Sequence, residues 1–157
     1  MVNLMRVDER LVHGQVVQAW LPKLKVARVV VADDAAAGNP LATAAMGLAL
    51  GEDVEFLCRP LSRVDFRALS ADRVATLVLV RDVGSAVAAH AAGLRAPVNL
   101  GNVHAAPGRK AVTPSLHLSD AELLQLQQLE DAGVAVEARA VPAERPLGLQ
   151  QLRQHLA

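Results

Sequence analysis

The chain has 157 residues, of which 52% are hydrophobic, 20% charged and only 2% aromatic. Sixteen lysines and arginines balance sixteen aspartates and glutamates, so no net field draws the protein onto nucleic acid or an anionic membrane. Tyrosine is absent, tryptophan occurs once and phenylalanine twice, which removes the platforms on which bases stack.

A chain of this length predicts one domain, residues 1–157, since about 100–200 residues per domain is usual. No run approaches the roughly 20 apolar residues of a membrane span. MVNLMRVDER becomes charged within six residues and lacks the apolar core of a signal peptide. Cys58 is the lone cysteine, so no internal disulfide can form, and its setting in VEFLC reads as a packed thiol. Together these features predict a cytoplasmic protein.

In chain order, the apolar rhythm predicts a strand at Val2–Val7, a helix at Gln15–Leu24, a strand at Ala27–Ala32 and a helix at Pro40–Leu50. Next come a strand at Val54–Cys58, a helix at Ser62–Leu69, a strand at Ala75–Val80, a helix at Gly84–Ala92 and a strand at Pro97–Leu100. A helix at Asp120–Ala132 and a strand at Val134–Val141 complete the alternation. This order specifies an α/β fold, with a mainly parallel central sheet flanked by helices on both faces.

Local punctuation agrees. Ser119 and Glu122 carry the capping-box spacing, and Gly133 closes the same helix. Ser62 with Asp65 is a looser version. Pro22 ends the first regular helix near Leu21 or tightens its last turn. Gly101–Pro114 is the longest polar, punctuated stretch, either a functional loop or a short hairpin, and Thr113–Leu118 offers a brief extra strand. PAERPLG reads as a turn-rich connector. Leu149, Leu152 and Leu156 then suggest a small terminal helix.

Ligands of open α/β sheets bind beyond the carboxyl ends of the strands. There the first strand delivers Asp8-Glu9-Arg10-Leu11-Val12-His13-Gly14. A helix opening at Gly14 offers free N–H groups and partial positive charge, both suited to phosphate. Glycine permits backbone geometries that a β-carbon forbids. Arg6 and Arg10 can each present a planar fork to phosphate oxygens. Positive neighbours favour a neutral imidazole at His13, whose lone pair is a nucleophile, and Asp8 or Glu9 could fix the ring by accepting its other N–H. Phosphoryl transfer needs mostly positioning and electrostatics, so no metal or cofactor is expected. Read as isolated residues, the same histidine could equally be a structural hydrogen-bonder.

RVDERLVHGQVVQAW closely resembles the active-site segment of the IIB component of the mannose/fructose/sorbose class of bacterial sugar phosphotransferase systems. That family reads arginine, an aliphatic, Asp, Asp, Arg, Leu, Ile, His, Gly, Gln, Val, so Glu9 and Val12 are conservative replacements. The likeness continues through VARVVVADD, NLGNVHAAPGRKAV and GVAVEARAVPAERP. It implies that His13 is the phosphate carrier, charged by a phosphohistidine on a IIA protein and discharged to a sugar held by the membrane components IIC and IID. It maps Arg10 onto the arginine of the phosphate loop and Asp8 onto its neighbouring acid. It also implies an antiparallel strand near the C-terminus. Because Met1 stands almost at the first strand, no fused IIA domain is expected and every partner would be a separate chain. The scarcity of aromatic residues suits a carrier that never grips the sugar alone, and Trp20, at helical spacing from Val16 and Val17, reads as core.

The expected phosphate-binding set is therefore Arg10, Arg6, Gly14 and Asp8 around His13. His104, Asp34, Arg109 and Lys110 are secondary candidates at the same edge, although Asp33 and Asp34 also read as turn or helix-capping residues. No His-x-x-x-His or Cys-x-x-Cys spacing suggests zinc, and no glycine-rich nucleotide cradle occurs. A regulatory module, in which phosphorylated His13 reports to a partner without sugar transport, is the alternative reading of the same residues.

Overall fold

The computed structural model describes residues 1–156. Its strands are β1 (Val2–Asp8), β2 (Arg28–Ala32), β3 (Glu55–Arg59), β4 (Thr76–Val80), β5 (Val98–Asn102), β6 (Lys110–Thr113), β7 (Leu116–Leu118), β8 (Val136–Ala138) and β9 (Leu147–Gly148). The main sheet has the order β3–β2–β4–β1–β5–β8–β9. Its pairs are parallel until the antiparallel pair β8–β9. β1 thus runs between β4 and β5, with a hydrogen-bonded neighbour on each side.

The helices are α1 (residues 14–24), α2 (Asp34–Ala37), α3 (Pro40–Leu50), α4 (Phe66–Ala71), α5 (Val83–Ala91), α6 (Asp120–Asp131) and α7 (Leu149–Leu156). Helices α1–α3 cover one face, packing Val16, Trp20, Met46 and Leu50 against Leu4, Val29, Val31 and Leu79. Helices α4–α7 cover the other, packing Phe66, Ala86, Leu126 and Leu152 against Met5, Val7, Val30 and Val78. Strands buried on both faces read as unbroken apolar runs, which is why VVVA and TLVLV were legible. Cys58 is buried, and burial pushes its thiol up, as a packed cysteine should be.

Four details depart from expectation. Helix α1 neither stops at Pro22 nor tightens before it. It widens to a π-helical stretch over Val16–Trp20, where the Leu21 N–H donates to the Val16 carbonyl, and continues to Leu24. Proline lacks an N–H and collides with the carbonyl four residues back, so a wider preceding turn relieves the clash. At α4 the cap is Asp65, whose carboxylate accepts from the Ala68 N–H, while Ser62 lies in a 3-10 turn. The Val134–Val141 strand shrinks to Val136–Ala138 because the next carbonyls, of Arg139 and Ala140, accept from Arg6 instead of extending the ladder. Within PAERPLG, Leu147 and Gly148 pair with Ala138 and Glu137 as β9.

The capping box at Ser119 and Glu122 forms in full, and Gly133 adopts a positive φ of 93° after α6. The stretch after β5 contains the antiparallel β6–β7 hairpin, tied back through a Val103–Leu116 bridge.

Candidate active site

The site grows out of the period of β1. Successive side chains of a strand alternate faces, so Leu4, Arg6 and Asp8 all point toward α1 while Met5 and Val7 point away. Arg6 and Asp8 are both fully buried. Every direction of the Arg6 fork is used. Nε donates to Asp8 Oδ2 at 3.1 Å, one terminal nitrogen to Asn99 Oδ1 at 2.6 Å and the Arg139 carbonyl at 3.2 Å, and the other to the Ala140 carbonyl at 2.9 Å and Gln15 Oε1 at 3.4 Å. The guanidinium carbon also lies 5.1 Å from the centre of the Trp20 ring. Burial lowers the Arg6 pKa, and the Asp8 charge opposes that shift. A charge this deep persists only when it is paired and fully hydrogen-bonded.

Gly101 makes room for it. A β-carbon there would stand 2.3 Å from Arg6 Cζ, and the fork has no free direction in which to retreat. Gly101→Ala is therefore expected to cost roughly 3 kcal/mol, lowering the melting temperature by about 6–12 °C. Thermal unfolding followed by circular dichroism checks this, and an unchanged midpoint would show that the network can relax.

Beyond β1 the chain turns sharply. The Leu11 N–H donates to the Asp8 carbonyl at 3.0 Å, and the Arg10 N–H donates to Asp8 Oδ1 at 2.9 Å. Leu11 pays for the turn with a φ of 54°, a strained value for a branched side chain, while its side chain is buried among the α1–α3 core. Helix α1 then starts: the His13 carbonyl accepts from the Val17 N–H at 3.0 Å. The His13 side chain, 8% exposed, meets Asp8 Oδ2 through Nε2 at 2.7 Å. Its Nδ1 is buried and, among the described residues, has no partner.

Asp8 is the hub. Besides His13, its Oδ2 accepts from Asn102 Nδ2 at 2.9 Å and from Arg6 Nε. Burial pushes the carboxyl up, but the bonds from His13 and Asn102 and the Arg6 charge outweigh it and hold it below the ordinary carboxylate value. Since Arg6 and Asn102 can only donate here, Oδ2 is an acceptor and the proton of the pair sits on Nε2. The lone pair of the ring is then at Nδ1.

Several of the expected residues change role. Arg6 is not at the phosphate position: it is sealed beneath the ring with its donors committed. Asp8 orients the histidine rather than facing an anion. Gly14 has a helical backbone, and a β-carbon there would meet nothing within 4 Å, so it leaves open space rather than supplying a special geometry. Arg10 differs: its side chain is exposed, and its guanidinium bonds no group among the described residues.

The secondary candidates mostly belong to other networks. Arg109 clamps Glu122 through two nitrogens at 3.0 and 3.1 Å and Glu9 at 2.9 Å; bonding to Glu122 raises its pKa, and it is no free positive rim. His104, with a side chain 59% exposed, pairs with Glu9 at 3.0 Å, so Glu9 holds His104 and Asp8 holds His13. Asp34 accepts from the Leu61 N–H at 2.8 Å, which makes it a turn staple. Lys110 is exposed on β6.

Three groups outside the expected site set complete the network. Asn102 donates to both Asp8 and Gln15. Gln15, two residues past His13, accepts from Arg6 and Asn102. Arg81 grips Asp33 at 2.8 and 3.0 Å and donates to the Glu9 carbonyl at 3.2 Å, tying the turn to the ends of β2 and β4. Asp33 in turn caps α2 through the Ala36 N–H. Asn102 and Arg81 stand at strand ends, the edge where ligands of such sheets are expected, and Gln15, two residues past the histidine, could have been found by its place in the first turn of α1.

Comparison with known proteins places the whole chain in one family. The family model described as "PTS system sorbose subfamily IIB component" matches residues 2–156. The N-acetylgalactosamine-specific phosphotransferase enzyme IIB component 2 of Escherichia coli K12 is 28% identical over 153 residues, covering 96% of this chain and 98% of that one. A probable phosphotransferase enzyme IIB component of Streptococcus pyogenes serotype M6 is 33% identical over 164 residues, covering 97% and 99%. Among solved structures, the IIB domain of the Klebsiella pneumoniae sorbose permease shares the fold with a TM-score of 0.87 at 19% identity, covering 98% of this chain and 97% of that one. The match over nearly the whole length carries the assignment, and the shared fold agrees with it: the chain belongs to the sorbose subfamily of phosphotransferase-system IIB components.

Proposed function

We propose that the protein carries a phosphoryl group on His13 between two protein partners, receiving it from a phosphohistidine of a separate IIA protein and passing it to a sugar held by IIC and IID membrane components. The observation that carries this reading is the ring itself. Nε2 donates its proton in a hydrogen bond to the Asp8 carboxylate, and Nδ1 is left with a lone pair and no partner among the described residues.

In the charging step, the Nδ1 lone pair forms the new N–P bond as the N–P bond on the donor histidine breaks, its electrons returning to the donor ring. Positive charge that develops on the His13 ring faces the Asp8 carboxylate. The exposed Arg10 guanidinium and the Gly14 and Gln15 N–H groups, which donate to no acceptor among the described residues, are placed to meet phosphoryl oxygens. In discharge, a sugar hydroxyl oxygen forms the P–O bond, its proton leaves to a base of the acceptor, and Nδ1 recovers its lone pair. Such chemistry rests on alignment and charge stabilisation.

Because Nδ1 is covered, the segment from Arg10 to Gly14 must shift to admit a donor. The positive φ of Leu11 and the unobstructed Gly14 support such a movement. No helix among the described residues is long and apolar enough to cross a membrane, so association with the transporter would be peripheral.

The test is to supply phosphoenolpyruvate, the two general phosphotransfer proteins and a IIA partner. An acid-labile, base-stable phosphate is expected on the peptide bearing His13. Its appearance on Cys58 or His104 instead would overturn the assignment. Gly14→Ala supplies a second check. Alanine suits a helix better than glycine by about 0.5–1 kcal/mol, so melting should rise by about 1–4 °C, while the added methyl should raise the KM for the IIA donor. A lower melting temperature would mean that the glycine is structural.

A further inference from the structure

Beyond the carboxyl ends of β5 and β8, roofed by the turn between β6 and β7, lies a cavity of about 270 Å³ that the phosphoryl site does not use. Its floor is aliphatic, from Leu100, Leu116 and Ala138, and its walls are polar. The volume suits a single sugar ring better than a nucleotide.

The walls offer a defined set of unspent groups. Thr113 and Ser115 place hydroxyls 3.5 Å apart. Glu144 spends one oxygen on the Ala140 N–H at 3.0 Å, leaving the other to accept. The Arg145 guanidinium has no partner among the described residues, whereas neighbouring Arg139 is held by Glu137 and the Pro142 carbonyl. Gln15 completes the lining. Its Oε1 is committed to Arg6 and Asn102, which fixes the amide orientation and leaves Nε2 unpaired among the described residues. Two hydroxyls, a carboxylate acceptor, an amide donor and one free guanidinium together match a ligand with several hydroxyls and one anionic group.

Gln15 also connects the cavity to the nucleophile. From its Oε1 the chain of bonds runs to Asn102 at 2.9 Å, from Asn102 to Asp8 at 2.9 Å, and from Asp8 to His13 at 2.7 Å. In this arrangement Nδ1 is covered. A ligand that pins Gln15 therefore stabilises the closed form of the loop over the open one.

We propose that the cavity is a binding site for a small anionic sugar, phosphorylated or carboxylated, and that its occupancy slows phosphorylation of His13 through Gln15, Asn102 and Asp8. The binding claim stands on the cavity; the coupling rests on the phosphocarrier reading above.

Two independent readouts separate them. The first is calorimetric titration of the whole protein with glucose 6-phosphate, galactose 6-phosphate, fructose 6-phosphate, glucuronate, galacturonate, glucose and inorganic phosphate. At least one anionic sugar is expected to bind about tenfold more tightly than glucose or phosphate alone, with about tenfold loss in Arg145→Ala and in Ser115→Ala. The phosphate and carboxylate arms distinguish the two sources of charge. No binding, or equal binding of glucose or of bare phosphate, overturns the site. The second readout is chemical phosphorylation of His13 by phosphoramidate, which needs no protein donor. Saturating ligand should slow it severalfold in the wild type, and Arg145→Ala should need about tenfold more ligand for the same slowing. Binding without any slowing overturns the coupling alone. A wild type that phosphoramidate cannot charge at His13 counts against the phosphocarrier reading, while the titration still decides the site.

Discussion

His13→Gln is expected to abolish phosphoryl uptake while leaving the fold intact. Glutamine can still donate an amide N–H to Asp8, so the hub keeps a partner at that oxygen. What is lost is the nitrogen lone pair, for which an amide offers no substitute, and incorporation of phosphate from the IIA donor should fall by about 10³-fold or more. The side chain lies at the edge of the network, and Asp8 retains Arg6, Asn102 and the Arg10 N–H. The melting temperature should therefore move by no more than about 2–4 °C, equivalent to about 1 kcal/mol in a chain of this size. Labelled phosphate incorporation and thermal unfolding measured on one preparation check both halves. His104→Gln is the matched control and should retain uptake, because His104 pairs with Glu9 outside the Asp8 network. Residual stoichiometric uptake in His13→Gln would move the acceptor elsewhere.

Asp8→Asn is expected to damage both function and stability. Asparagine would keep its carbonyl oxygen where Arg6 and Asn102 donate and set its amide against the Arg10 N–H, so the ring loses the negative charge that offsets its developing positive charge and the turn loses a bond, and phosphoryl transfer should fall by roughly 10²–10⁴-fold. The structural cost arises beneath the ring. Arg6 is fully buried, and without Asp8 it loses its directly bonded carboxylate. Removing one partner of such a pair typically costs about 3–5 kcal/mol, or a fall in melting temperature of about 6–20 °C at neutral pH. The pH dependence follows from the sign of the shift. The folded Asp8 carboxyl lies below its ordinary value of 3.8, so the stability it contributes is fully present above that value and is lost as pH falls through the folded pKa. The gap between wild type and Asp8→Asn should thus be constant from neutrality down to about pH 5 and narrow below about pH 4. A gap that widens on acidification would contradict the assignment of a depressed carboxylate.

Much of the scaffold could be read directly from residue order. Strands buried on both faces leave apolar runs, the Ser119–Glu122 spacing satisfies two helix-end donors reciprocally, and three leucines at helical spacing mark α7. These signals are local, so they survive in one dimension. His13 and Arg10 were legible for the same reason: a strand end, a turn and a helix start lie within a few residues of each other. The position of β9 was not, since its two residues carry too little periodicity to be seen.

The roles of Arg6, Asp8 and Gly14 depended on the third dimension. In the sequence Arg6 and Arg10 are equivalent cations four positions apart. The alternation of β1 turns Arg6 inward under Trp20, where carbonyls of residues 139 and 140 and the amide of Asn99 accept its bonds, while Arg10 lies past the strand end and stays in solvent. Partners more than ninety positions away decide which of two identical side chains is a strut and which is free to meet an anion. Composition and local order therefore determined the class of fold and the place of the candidate histidine. Long-range packing alone decided how its ring is held, because a buried hydrogen-bond network is specified by distant groups that meet only when the sheet has closed.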